Sequence, residues 1–88
     1  MSEVQTTSHQ IRDFILKKFP LARKREVKES DLLLESGILD SMGILEVVHF
    51  IEQEFSIQVS DEELVPENFQ SIDRLVSFVQ SKTSRIGR

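Results

Sequence analysis

Residues 40–55 read DSMGILEVVHFIEQEF, and this stretch decides the fold. On a helical wheel at 100° per residue, its apolar side chains form one stripe that covers about 100° of the helix. The stripe consists of Ile44, Val47, Val48, Ile51 and Phe55. Asp40 stands just before it, where a side-chain oxygen commonly caps the first backbone N–H groups of a helix. The pattern therefore predicts a helix over residues 41–55 that turns this stripe toward the core.

Apolar residues at helical spacing predict further helices on both sides of this one. An amphipathic pattern over residues 4–19 ends at Pro20, which cannot continue a helix, and residues 20–40 have no period and predict a long loop. Downstream, residues 60–63 have the Ser-x-x-Glu form of a capping box, and Ser71 can cap a last helix. We expect an all-α fold, a small four-helix bundle with three main helices, one short helix and a long loop between the first and second helices.

The length of 88 residues allows one domain, so we expect a single domain over residues 1–88, with a core at about 4–80 and a frayed basic tail at 81–88. The chain has no cysteine, which excludes disulfides, thiolate metal sites and a cysteine nucleophile. The polar N-terminus lacks the form of a targeting segment, and no apolar run is long enough to span a membrane. We therefore expect a cytoplasmic monomer.

Charge is distributed unevenly along the chain, although the net charge is only −4. Residues 26–73 contain thirteen Asp and Glu but one basic residue, Lys28, whereas ten of the eleven Lys and Arg lie in the flanks. An acidic body repels phosphate backbones, so we expect no nucleic-acid binding. Basic protein surfaces are the partners that this charge favours.

Ser41 stands at the first turn of the main predicted helix, directly after the predicted cap. A helix start presents free backbone N–H groups and the positive end of the helix dipole, which together stabilise an attached anion. A phosphodiester on the Ser41 hydroxyl would be held well there. The alternative interpretation is that Asp40 and Ser41 are ordinary helix-start residues.

The face of this helix opposite the apolar stripe combines exposed apolar and acidic side chains. Such a mixture is typical of a transient docking surface with a small apolar centre and a charged rim. The alternative is a broad apolar helix with scattered exposed residues. The residues of this face are Met42, Leu45, Glu46, His49, Glu52 and Gln53.

Residues 36–46, SGILDSMGILE, resemble the carrier-protein signature Gly-x-x-Asp-Ser-Leu/Met followed by an amphipathic helix. The similarity continues through residues 52–55, 57–63 and 66–72, so it covers the chain from about residue 32 to residue 79. The chain thus resembles the acyl carrier protein family. The segment has one more residue between Gly37 and Asp40 than the commonest signature of fatty-acid-synthesis carriers. In this spacing it resembles D-alanyl and specialised carriers.

The resemblance implies a carrier that holds acyl or aminoacyl groups as thioesters on 4′-phosphopantetheine attached to Ser41. A phosphopantetheinyl transferase would modify Ser41 from coenzyme A, and an acyl-loading ligase or acyltransferase and downstream synthases would be the further partners. In the family, acidic positions matching Asp40, Glu46, Glu52 and Asp61 meet basic residues of partners, and positions matching Met42, Leu45 and His49 make apolar contacts. His49 departs from the usual apolar residue, and Gly43 replaces a common acid and weakens the helix by about 0.5–1 kcal/mol relative to Ala.

Two other classes of function compete with a carrier. An enzyme is disfavoured because Ser41 and His49 are separated by about 12 Å of helical rise and cannot form a nucleophile and base, and His9 is the only other histidine. No calcium-loop or other metal-ligand spacing is present either. A helical adaptor that binds a basic partner without a covalent cofactor would use the same face of the helix and stays open.

Overall fold

The computed structural model describes residues 3–84 and the side chains of residues 6–83. Within residues 3–84 every regular element is helical and no β-strand is present. No helix in this range is long and apolar enough to cross a membrane. The predicted all-α class with three main helices is confirmed. In chain order the elements are α1 (Glu3–Lys18), α2 (Pro20–Lys24), α3 (Ser41–Phe55), a 3₁₀ turn (Asp61–Glu63), α4 (Pro66–Phe69) and α5 (Ile72–Ser84).

The core lies between α1, α3 and α5. The stripe predicted on α3 faces it as expected, with Val47 and Ile51 fully buried and the other three members packed partly buried against them. Because the apolar period is helical, one face of each long helix enters the core, and burial of these side chains supplies the main stabilising term. The fully buried residues of α1, α4 and α5 in this core are Ile11, Ile15, Phe69, Ile72, Leu75 and Val79.

The prediction of an uninterrupted loop from residue 20 to residue 40 is wrong at its start, because Pro20–Lys24 forms the short helix α2. Phe19 lies between α1 and α2 and has an extended backbone (φ −117°, ψ 100°). Pro20 then occupies the first turn of α2. Proline ends the preceding helix, but its fixed φ suits a first helical position, where its missing N–H is not needed. Ala22 is fully buried and anchors this short helix to the core.

The remaining loop is ordered by its own apolar side chains and by backbone hydrogen bonds to the last third of the chain. Leu33 is fully buried, and its N–H donates to the Gln70 carbonyl at 2.7 Å, while the Asp73 N–H donates to the Glu29 carbonyl at 3.0 Å. Gly37 takes a positive φ of 82°, the left-handed region that suits glycine. These contacts fix the segment that leads into α3.

The segments after α3 differ from the sequence prediction in the length of the helix after Ser60 and in the end of α5. Ser60 and Glu63 form the predicted capping box, but the helix there is only one 3₁₀ turn. The sequence predicted a turn or a further short helical piece over residues 66–70, and the short helix α4 is found there. Ser71 accepts a hydrogen bond from the Arg74 N–H at 3.2 Å, as expected of a cap. Helix α5 continues through Ser84, so residues 81–84 of the predicted frayed tail are helical, and residues 85–88 lie outside the described part.

Candidate functional site

Ser41 is the first residue of α3, and its side chain is exposed. The preceding residue, Asp40, has an extended backbone, and its Oδ1 accepts a hydrogen bond from the Gly43 N–H at 2.8 Å, which confirms the predicted cap. The cap satisfies one of the N–H groups that α3 leaves without an intrahelical partner, and the helix dipole adds positive potential at the same end. The Ser41 hydroxyl is therefore accessible from solvent where a covalently attached anion is stabilised.

Gly43, which the sequence suggested was only a weakness of the helix, is required by the packing of the first turn of α3. It is buried, and a Cβ added there would lie 2.9 Å from Phe19 Cε1 and 3.1 Å from Leu39 Cδ1. The absent side chain therefore lets the first turn of α3 sit directly on Phe19, two residues from Ser41. A glycine in the middle of an amphipathic pattern was the available hint, because such a residue often marks a close approach.

Phe19 also belongs to a row of aromatic rings that joins α1 to α3. Its ring meets the edge of Phe14, with ring centroids 6.3 Å apart, and Phe14 stacks on Phe50 at 4.2 Å with the planes 10° apart. Phe50 in turn meets Phe55 at 6.2 Å in an edge-to-face arrangement. Such pairs contribute about 0.5–1.5 kcal/mol each beyond their buried area. The Phe14–Phe50 pair therefore joins α1 to α3, and Phe19 and Phe55 extend the row at its two ends.

Four of the predicted partner-binding residues come together on one side of α3. Met42 and Leu45 are 68% and 57% exposed, which is high for large apolar side chains, and Glu46 and His49 are exposed beside them. With residues of α1 they line an open groove of about 400 Å³. We call this the α1–α3 groove, and its lining residues are Phe14, Lys18, Met42, Leu45, Glu46, His49, Phe50 and Gln53.

The predicted carboxylates differ in what they contact. Glu46 lies 3.8 Å from Lys18 Nζ, and both side chains are about half exposed, so this pair adds little stability. Glu52 is turned away from the α1–α3 groove: its Oε2 accepts a hydrogen bond from the Val59 N–H at 2.9 Å, which ties the segment after α3 to the helix. Asp61 is exposed in the 3₁₀ turn.

Glu63 is a structural residue that the sequence indicated only as half of a capping box. Its Oε1 accepts from the Ser60 N–H at 3.0 Å, and its two oxygens accept from Lys82 Nζ at 2.8 and 3.0 Å. The bond from Lys82 and then the backbone N–H of Ser60 lower the pKa of the Glu63 carboxyl below its usual value, because they stabilise its charged form. Glu63 thus connects the 3₁₀ turn to α5.

Comparison with known proteins gives matches over most of the chain. The model of a family described as a phosphopantetheine attachment site matches residues 9–79. An acyl carrier protein homolog of Mycoplasmopsis pulmonis (strain UAB CTIP) is 32% identical over 73 residues, which are 83% of this chain and 96% of that protein. An acyl carrier protein of Buchnera aphidicola subsp. Baizongia pistaciae (strain Bp) is 30% identical over 77 residues, 88% of this chain and 95% of that one. The probable acyl carrier protein PigG of Serratia sp. (strain ATCC 39006) is 35% identical over 48 residues, 54% of this chain and 55% of that one.

Proposed function

Because the chain belongs to the acyl carrier protein family, whose cofactor is phosphopantetheine, we propose that it carries acyl or aminoacyl groups on Ser41 and moves them between the enzymes of a biosynthetic pathway. Members of this family are carriers and not catalysts, so the chain is not an enzyme. When attached, 4′-phosphopantetheine supplies a terminal thiol that takes up the acyl group as a thioester. The choice of Ser41 as its attachment point is part of the proposal.

The surroundings of Ser41 fit an attached phosphodiester. The side chain is exposed at the first position of a 15-residue helix, so a transferase can reach the hydroxyl and the helix start can hold the negative charge. Asp40 fixes the first turn through its bond to Gly43, and Gly43 allows that turn to rest on Phe19. This combination of an exposed hydroxyl and a rigid helix start is the observation that carries the assignment.

We further propose that partner enzymes dock beside Ser41 and are attracted by carboxylates. Met42, Leu45 and His49 would form the contact centre, and Glu46 would meet a basic side chain of the partner, with Asp40 and Asp61 adding to the negative potential. Glu52 was also expected to meet basic residues of partners. Because its Oε2 accepts a hydrogen bond from the Val59 N–H, we assign it mainly to holding the segment after α3. The partners expected from the family are a phosphopantetheinyl transferase, an acyl-loading ligase or acyltransferase, and downstream synthases, which a cytoplasmic monomer would meet in turn.

The test is the intact mass of the purified protein after incubation with coenzyme A, Mg²⁺ and a broad-specificity phosphopantetheinyl transferase. The wild type is expected to gain one phosphopantetheine, and Ser41→Ala is expected to gain none. Ser30→Ala is the matched control, since Ser30 is exposed in the loop before α3, and it should be modified like the wild type. A wild-type chain that folds but gains no mass would instead be the result expected of an adaptor without a covalent cofactor.

A further inference from the structure

The end of α2 carries a run of three basic residues. Arg23, Lys24 and Arg25 follow one another there, and all three side chains are exposed. Arg25 is already engaged, since its Nη1 donates a hydrogen bond to the Ser36 carbonyl at 2.9 Å. Among the side chains that the structure describes, no carboxylate forms an ion pair with Arg23 or Lys24. Two positive charges of α2 are therefore available to a partner.

Contacts at both ends of α2 fix it beside the segment that contains the proposed attachment point. Phe19 precedes α2 and lies under the first turn of α3, where a Cβ on Gly43 would be 2.9 Å from its Cε1. At the other end, the bond from Arg25 ties α2 to Ser36, five residues before Ser41. At 1.5 Å per residue α2 is only about 7 Å long. Its charges therefore lie at the end of the molecule where α3 begins.

Exposed leucines accompany these charges. Ala22 is fully buried and holds α2 to the core, whereas its neighbour Leu21 is 43% exposed. Arg25 and Leu32, which is 40% exposed, line an open cavity of about 400 Å³ at the C-terminal end of α2. Apolar side chains with charged neighbours are typical of transient docking surfaces. We call Leu21, Arg23 and Lys24 the α2 patch.

The charge around the α2 patch favours a protein as its partner. Residues 26–73 contain thirteen acidic residues and one lysine, so an extended anionic surface such as a bilayer or DNA would meet this acidic body together with the patch. The screening length of about 8 Å at physiological salt does not isolate two positive charges from so many negative ones. A protein surface, by contrast, can place a few carboxylates against α2 alone.

We propose that the α2 patch is a second docking surface, which binds carboxylates of a partner enzyme while basic residues of the same enzyme meet Glu46 on α3. This inference rests on the proposed function, since the enzyme comes to Ser41. Opposite charges at two places on one surface favour a single orientation of the carrier, because the reversed orientation brings like charges together. The α2 patch thus selects enzymes that present acidic and basic groups in the matching arrangement.

The first measurement is photo-cross-linking of the full chain in cells of the organism that makes it. The photoreactive residue p-benzoylphenylalanine replaces Leu45, to mark enzymes docked on α3, or Leu21, to mark what lies on the α2 patch. We expect both positions to capture the same enzyme, and the peptide attached at position 21 to contain Asp or Glu. The control position is Ser77, which is exposed on α5 and should capture none of this enzyme.

The second measurement is the affinity of that purified enzyme for the full chain carrying phosphopantetheine. An exposed ion pair changes an equilibrium constant by up to about fivefold, so Arg23→Glu/Lys24→Glu should weaken binding roughly tenfold. Arg23→Gln/Lys24→Gln should weaken it less, and it keeps the test valid if the reversed charges unfold α2. The control Lys28→Glu/Arg74→Glu alters the net charge equally at exposed positions outside the patch, and it should change binding less than about twofold. Lysines in place of the cross-linked carboxylates of the enzyme should restore binding to the charge-reversed chain.

The outcomes separate this proposal from the one on which it rests. A chain that gains no phosphopantetheine would overturn both. Capture of the enzyme at Leu45 alone, capture at neither position, or binding unchanged by the double reversal would overturn the α2 patch and leave the attachment to Ser41 standing. Sedimentation with phosphatidylglycerol vesicles, or a gel shift of double-stranded DNA, that is lost in Arg23→Glu/Lys24→Glu would assign the patch to a membrane or a nucleic acid and would also overturn the proposal.

Discussion

Replacement of Gly43 by alanine sets two opposing effects against each other in the first turn of α3. Alanine is more favourable than glycine inside a helix by about 0.8–1.0 kcal/mol, so an exposed position would gain stability. At Gly43 the new methyl would lie 2.9 Å from Phe19 Cε1 and 3.1 Å from Leu39 Cδ1, and overpacking of this kind costs about 1–3 kcal/mol. We therefore expect Gly43→Ala to lower the free energy of unfolding by about 1 kcal/mol.

A double-mutant cycle with Phe19→Leu isolates this contact, because leucine has no atom at the Cε1 position. In the Phe19→Leu background, Gly43→Ala should be close to neutral or stabilising, which gives a coupling free energy of about 1 kcal/mol or more. The measurement is urea unfolding of the four proteins followed by circular dichroism. Stabilisation by Gly43→Ala alone, or additive effects of the two changes, would refute the packing argument.

Gly37→Ala provides a matched glycine substitution in this cycle. Gly37 has a φ of 82°, but a Cβ there would have no atom within 4 Å. Its replacement should cost about 1–2 kcal/mol through backbone strain alone. That loss should be unchanged by Phe19→Leu, so coupling at Gly43 and none at Gly37 would assign the effect to the contact with Phe19.

Three further predictions concern the acidic residues. Asp40→Ala should lower the free energy of unfolding by about 1 kcal/mol, because the Gly43 N–H loses its acceptor. Asp40→Asn should retain most of the wild-type stability, since asparagine also caps helices. Equal losses of the two variants in urea titrations would contradict a cap. The pKa of Glu63 is lowered in the folded chain from the ordinary value of 4.5, so its stabilisation is present above that value and is lost as the pH falls through the folded pKa. The difference in unfolding free energy between the wild type and Glu63→Gln should accordingly shrink below pH 4.5. A difference that grew on acidification would contradict a lowered pKa of Glu63 in the folded chain. Glu46→Lys should slow modification by the transferase severalfold and weaken its dependence on salt while the helicity is kept, and an unchanged rate would reject docking at Glu46.

The parts of the fold that the sequence predicted are those set by local patterns. The apolar stripe of α3, the cap at Asp40 and the capping box at Ser60 each depend on residues within a few positions of one another, and each is found in the structure. Helix α2 was missed because five residues with a single buried side chain, Ala22, have too short a pattern to show a period.

The features that the sequence did not predict join residues far apart in the chain. The contact between Gly43 and Phe19 and the bond between Glu63 and Lys82 depend on how the helices pack, which no local spacing records. Likewise, Glu52 lies on the predicted outer face, yet its carboxylate accepts a hydrogen bond from the Val59 N–H. This is because α3 ends at Phe55, Ser56 takes a left-handed conformation, and the next segment turns back. The interpretation of Ser41 as an attachment site and of its neighbours as a docking surface stays a prediction.

The loop before α3 completes its backbone bonds only with residues that are synthesised after α3. The Leu33 N–H pairs with Gln70 and the Glu29 carbonyl with Asp73, so on the ribosome these two groups have no partner until translation has passed residue 73 and that part has left the exit tunnel. We therefore expect the nascent chain to present Ser41 after an incompletely bonded loop until residues 70–73 are in place. A transferase that recognises the folded helix start would then act after residues 70–73 have paired with the loop, and modification would report that the two parts of the chain have come together.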